Sequence, residues 1–432
     1  MKSAALLLLI LLWIQFIPPH LAQDLCPALP AQAGPTILVD SVAGLVDAVN
    51  SASSGTTILL DDGIYPLNGA YLRLDTPGAA LRCASGNRDA VVLDGDYLTT
   101  EIIQVAASHV TVADLTLREA YNHPIHVMSS ATEDVTGTLI YNVRIIDPGQ
   151  QAIKVNPVDT SHFPDQGVIA CTLIELTNQG RPHIRDNCYT GGIDAHQARG
   201  WVVRDNTISG FWCPNGLSEH AIHFWRGSRD TFVERNRLVD NARGVGFGLA
   251  TSGPGRTYAD NPCPSAAGSY VDHYGGVIRN NFISAADAGL FASQSGFDCG
   301  ICLWNACQVQ AGHNSIFSTQ PPFSSIEWRF ANTQAEITNN LSSHMMLERD
   351  GASAILSGNV TNAPTDWFVD ATGGDLHLAV SASAAIDSVT PLQAVPGDID
   401  GDSRPVGVSA DVGADEFNPR PPLWQFLPIV IH

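Results

Sequence analysis

The chain is expected to fold as an all-β solenoid, and three observations predict it. The phrase apolar-x-x-Asn recurs as Val203-Arg-Asp-Asn206, Val233-Glu-Arg-Asn236, Ile278-Arg-Asn-Asn281, Ala311-Gly-His-Asn314, Ile337-Thr-Asn-Asn340 and Leu356-Ser-Gly-Asn359. Its steps of 30, 45, 33, 26 and 19 residues suit coils with a constant strand core and variable loops. A second phrase, a small residue before a β-branched one, precedes most of these: Ala152-Ile153, Gly192-Ile193, Ala221-Ile222, Gly244-Val245, Gly300-Ile301 and Ser325-Ile326. Finally, 38 glycines and 15% charged residues fit a turn-rich β protein.

From the amino end, Lys2, the apolar run Ala4–Ile17 and Pro18-Pro19 read as a signal peptide over residues 1–22, with cleavage after Ala22. That run is too short for a comfortable membrane span, so the mature chain is expected to be secreted or held at the cell surface, without a transmembrane span and as a monomer. Leu45–Asn50 reads as a short amphipathic helix, followed by strands in Gly55–Tyr65 and Val91–Gly95. This opening, with the later coils, resembles the right-handed parallel β-helix (pectate-lyase-like) superfamily. The resemblance implies a right-handed parallel β-helix over residues 36–390 with a short N-terminal capping helix. It leaves the activity open, because that fold carries lyases, hydrolases, epimerases, esterases and adhesins. Residues 391–418, with Asp398-Ile-Asp-Gly-Asp402 and Asp411–Glu416, are similar to the closing segment of exported bacterial β-helix proteins. The apolar tail 419–432 is read as a sorting signal or an edge strand.

Nine cysteines in an exported chain imply disulfides and one leftover thiol. Equivalent loop positions suggest Cys188–Cys213 and Cys263–Cys307, and Cys26 with Cys83 would tie down the amino end. Cys171 is read at the ladder position of asparagine, as the buried free thiol. The alternative, zinc on Cys299, Cys302 and Cys307, is disfavoured by export.

Alternation along each strand turns the Ile/Val column inward and its neighbours to solvent. The first outward row is then Lys154, Asp194, His223, Gly246, Cys302 and Glu327; two residues on come Asn156, His196, Trp225, Gly248, Trp304 and Arg329. Lys154, the one lysine beyond the signal peptide, would share a patch ~10 Å long with Asp194 and His223. Arg243–Gly248 is expected to form a bare glycine floor, walled by the insertions Ser209–Glu219 and Leu249–Tyr274. Trp225 and Trp304, with Glu327, Arg329 and His220, would contact sugar.

These groups point to extracellular polysaccharide and to a lyase before other activities. Removing the proton α to a uronate carboxylate needs a base, read as His223, His196 or Lys154, and positive charge from Arg226, Arg243 or calcium held by Asp194 and Glu219. Ser218-Glu219 followed by Arg226 and Arg243 resembles the chondroitinase/alginate-lyase branch, although an arginine replaces the lysine of that branch. A second calcium set is expected at Asp398, Asp400 and Asp402. A glycoside hydrolase would need two carboxylates, for which Asp194 with Glu219 is the available pair. A non-catalytic adhesin needs no such site. A net charge of −21 argues against a nucleic-acid partner.

Overall fold

A computed structural model describes residues 25–260, 262–266 and 270–418. The expected signal peptide and apolar tail lie outside them. Thr36–Val39 leads into a helix over Val42–Ser51, whose Ser41 Oγ accepts from the Gly44 amide at 3.3 Å. The helix buries Leu45, Ala48 and Val49 on the first coil, as a solenoid end requires. The chain then winds through three long sheets of parallel strands, so the fold is a parallel β-helix. Among the described residues no helix is long and apolar enough to cross a membrane.

The expected register holds through the central sheet. Ile153, Ile193, Ile222, Val245, Ile301 and Ile326 pair in succession, and Lys154, Asp194, His223, Gly246, Cys302 and Glu327 pair beside them. The first column is fully buried with Ala195, Phe224, Phe247 and Leu303, the next inward positions. The small residue before each β-branched one does not face solvent, which corrects the simple alternation. A Cβ added at Gly192 would lie 2.8 Å from the Ile208 methyl inside the coil, and one at Gly300 2.8 Å from that of Ile316. The strand enters through a tight corner with two consecutive inward residues, and the first must be small.

The asparagine ladder forms as expected. Asn206, Asn236, Asn281, Asn314, Asn340 and Asn359 are linked in turn by Nδ2–H donors to Oδ1 acceptors, each at 2.9 Å. Every Oδ1 also accepts the backbone amide of the preceding ladder residue, so the buried corners keep their polar groups paired. Toward the amino end Thr172, not Cys171, meets Asn206. Cys171 instead aligns with Asp205, on the outward left-handed corner at φ 59°.

That placement changes two cysteine assignments. Residues 26–32 run across the outside of one sheet, fixed by Tyr141 Oη and Arg82 donating to the Pro27 and Leu29 carbonyls. Cys26 thereby reaches Cys171, with Cα atoms 5.7 Å apart, whereas Cys83 is a buried free thiol beside Ser85. Cys188–Cys213 and Cys263–Cys307 are joined as expected, and Cys299 bonds Cys302, which leaves no thiolate for the zinc alternative. Four disulfides fit an oxidising compartment. Peptide mapping without reduction should find Cys26 linked to Cys171 and Cys83 free. Cys26→Ser should cost roughly 2–5 kcal/mol in denaturant unfolding, since this bridge closes a loop longer than most; an unchanged midpoint would contradict the pairing.

Ser353–Ser357 is the last strand of the parallel sheets, followed by a single parallel bridge from Val360 to Leu341. Beyond it, an antiparallel pair, Phe368–Asp370 with Asp375–Leu378, and the segment through Phe417 pack a second apolar cluster against the last coils. Buried Arg404 donates to Glu416 Oε1 at 2.8 Å and to the Asp411 carbonyl at 2.9 Å.

Candidate functional site

Along the outward row the sequence places a cation, a carboxylate and an imidazole on successive strands, Gln151–Asn156, Gly191–His196 and Ile222–Trp225. The structure turns that row into a buried network. Lys154 Nζ donates to Asp194 Oδ2 in a very short contact and to Tyr189 Oη at 3.1 Å, and it lies 3.1 Å from His196 Nε2. Asp194 Oδ2 is also 3.2 Å from His196 Nε2, while its Oδ1 accepts from Trp225 Nε1 at 2.8 Å. Tyr189 was not singled out from the sequence. It follows Cys188, and the Cys188–Cys213 bridge ties its turn to the insertion Ser209–Glu219, which brings the phenol over Asp194. A tyrosine next to a cysteine just ahead of a site strand was the available signal.

The charges sort themselves by environment. Burial opposes ionisation of Asp194, yet the Lys154 ammonium and His196 hold its carboxyl well below the usual range. Burial alone would lower Lys154; the carboxylate and the phenol outweigh it and raise the ammonium. Burial lowers His196 despite Asp194, and burial together with Asp194 raises the Tyr189 phenol. At neutral pH the network therefore presents an ammonium, a carboxylate, a neutral imidazole and a neutral phenol. His196 and Tyr189 keep part of their surface accessible. His196 Nδ1 has no hydrogen-bond partner among the described residues and is not enclosed.

Several expected roles are corrected by depth. His223 is completely buried, roofed by the Trp225 ring stacked at 5.2 Å, so it cannot touch a polymer as its base. His220 is equally buried. Gly246 is no bare floor, because the His220 ring covers it; an added Cβ would lie 2.6 Å from Nε2. Gly248 is closed by the Trp304 carbonyl, 2.0 Å from where its Cβ would stand. Buried Trp304 donates Nε1–H to Glu327 at 2.6 Å, and buried Glu327 pairs with Arg349 at 3.1 Å, so neither faces sugar. Arg243 is paired with Asp298 at 2.8 Å, and Arg329 with Asp350. Arg226 lies over the Trp225 ring, 4.6 Å from its centroid, at the edge of the network. Asn156 Oδ1 accepts from His126 Nε2 at 2.7 Å, a row neighbour not expected from the sequence.

Calcium does not fit Asp194 and Glu219. Asp194 spends both oxygens on Lys154, His196 and Trp225, and Glu219 stands among imidazoles rather than oxygens. In the closing segment Asp398 Oδ1 accepts the Asp400 and Asp402 amides at 3.0 and 2.8 Å, and Asp400 pairs with His377 at 2.7 Å. These contacts engage the Asp398 and Asp400 carboxylates in turn and ion-pair chemistry. Nor do Asp194 and Glu219 make a hydrolase pair. Asp194 has both oxygens engaged by Lys154, His196 and Trp225, and Lys154 holds its carboxyl well below the usual range, so it is neither a proton donor at neutral pH nor free to activate a water.

No protein-family model and no curated protein matches the chain. Solved structures do. An alginate lyase from Paenibacillus sp. str. FPU-7 aligns at 14% identity over 76% of this chain and 99% of its own, with TM-score 0.50. Pectate lyase Pel9A aligns at 13% identity over 86% and 90%, with TM-score 0.52. The expected pectate-lyase-like resemblance is thus met at the level of fold.

Proposed function

We propose that the protein cleaves a uronate-containing extracellular polysaccharide by β-elimination at Lys154, Tyr189, Asp194 and His196. One observation carries this reading: an ammonium, a neutral imidazole and a neutral phenol converge on one buried carboxylate in the outward row of the central sheet. In the productive tautomer His196 donates Nε2–H to Asp194, which leaves its accessible Nδ1 as the base. Lys154, held by Asp194 and Tyr189, turns its third N–H toward the substrate carboxylate and stabilises the charge that develops there. Nδ1 takes the α proton, and the electron pair moves into the carboxylate. The carbon–oxygen bond to the leaving sugar then breaks as the ring double bond forms, and the Tyr189 phenol gives its proton to the departing oxygen. Calcium takes no part in these steps.

Supporting this reading, alginate and pectate lyases are among the solved proteins of similar fold. Incubation with uronate polymers should release a product absorbing in the near ultraviolet, at a rate unchanged by added calcium. Products without that absorbance would mean hydrolysis, and retained binding without products would mean an adhesin. The base must be unprotonated, and His196 titrates below the usual imidazole value of 6.5. The rate should therefore stay high through pH 6.5 and fall only at lower pH. An acid limb centred above 6.5 would exclude His196.

A further inference from the structure

Behind Trp225, Glu219, His220 and His223 form a second cluster that the elimination chemistry does not use. Glu219 Oε2 lies 3.2 Å from His223 Nδ1 and 3.8 Å from His220 Nδ1. Both rings are fully buried, and the Glu219 side chain is 19% exposed. Four polar atoms there are buried without a hydrogen-bond partner: Glu219 Oε2, both nitrogens of His220 and Nδ1 of His223. Orphans of this kind are costly, and a cation enclosed among them would satisfy three at once.

The remaining contacts set the tautomer. His223 Nε2 is 3.2 Å from the Gly248 carbonyl, which can only accept, so Nε2 donates there and Nδ1 is the ring nitrogen left to face Glu219. A carboxylate oxygen and an imidazole nitrogen thus face each other across 3.2 Å, both buried and without a hydrogen-bond partner. Glycines hold the arrangement open: a Cβ at Gly246 would strike the His220 ring, and one at Gly191 would lie 3.0 Å from Glu219 Cβ.

We propose that Glu219 Oε2, His220 Nδ1 and His223 Nδ1 bind one divalent transition cation of the zinc class. Two imidazoles and one carboxylate suit such a borderline ion and not calcium, which takes oxygen. The three ligand atoms lie within 4.8 Å of one another. Glu219 supplies the one partly accessible edge, where a water completes the shell. The neighbouring cysteines Cys299 and Cys302 are joined to each other and contribute no ligand. The ion clamps the end of the insertion Ser209–Glu219 to the strand Ile222–Trp225, whose Trp225 also holds Asp194. This inference stands apart from the elimination reading, and either can fail alone.

The test uses the mature chain, stripped with chelator and titrated with zinc or cobalt(II). One ion per chain should bind at micromolar concentration or tighter, raise Tm, and give cobalt bands in the visible without a thiolate charge-transfer band. Glu219→Gln, nearly isosteric, should lose the ion, whereas His377→Gln, in the other His/Asp cluster among the described residues, should keep it. If Glu219→Gln fails to fold, the wild-type titration and cobalt spectrum decide alone. Absence of zinc binding to wild type, a thiolate band, or loss of the ion in His377→Gln with retention in Glu219→Gln would overturn the proposal.

Discussion

Ile222→Asp is expected to prevent folding. Ile222 has no exposed surface and sits between Ile193 and Val245 in the inward column, packed in the buried apolar cluster, which offers a new carboxylate no partner. Burying an unpaired charge costs more than most domains hold in reserve, about 5–15 kcal/mol, and protonating the side chain still leaves a polar group without partners. Phe232→Asp provides the contrast. Phe232 pairs in a neighbouring sheet beside inward Val233 but is 40% exposed, so the same change should alter stability by about 1 kcal/mol or less. Circular dichroism and recovery of folded protein measure both. A folded Ile222→Asp protein would contradict the register on which every site assignment rests.

His196→Ala is expected to have the largest effect on catalysis. The side chain is 12% exposed and its removal leaves Asp194 paired with Lys154 and Trp225, so the fold should survive. Loss of a general base should lower turnover by roughly 10²- to 10⁴-fold while leaving polymer binding largely intact, and added imidazole should restore part of the rate. Lys154→Arg should also lose activity, because a planar guanidinium cannot meet Asp194, Tyr189 and a substrate carboxylate from the point occupied by an ammonium. His223→Ala offers a further contrast. As the proposed base is elsewhere, its effect should come through stability and Trp225 placement, visible in Tm. Full turnover in His196→Ala would remove this imidazole from the chemistry.

The fold was legible because its signals are periodic. Asparagine can satisfy the corner amides at one level of every coil, and only an inward Ile/Val column explains the second phrase, so together they set the pairing of Lys154, Asp194 and His223. Depth was not legible. His223, Cys302 and Glu327 point outward and are nevertheless buried, because Trp225, Trp304 and the long insertions cover them, and alternation gives direction but no knowledge of what lies above. Tyr189 was missed since a turn delivers it rather than a repeat. Cys171 was misplaced by one residue, the difference between the ladder and the left-handed corner before it, and that single step decided which cysteine Cys26 could reach. The free ring nitrogens of His220 are a property of packing alone.

The most direct test of the account is a crystal structure of the Tyr189→Phe variant, slowed by loss of its proton donor, with a bound uronate oligosaccharide. The account predicts a sugar carboxylate within hydrogen-bond reach of Lys154 Nζ and the adjacent ring carbon facing His196 Nδ1 at about 3–3.5 Å, the separation of a reactive pose. An oligosaccharide bound on either of the other two long sheets, or with its carboxylate turned away from Lys154, would contradict it.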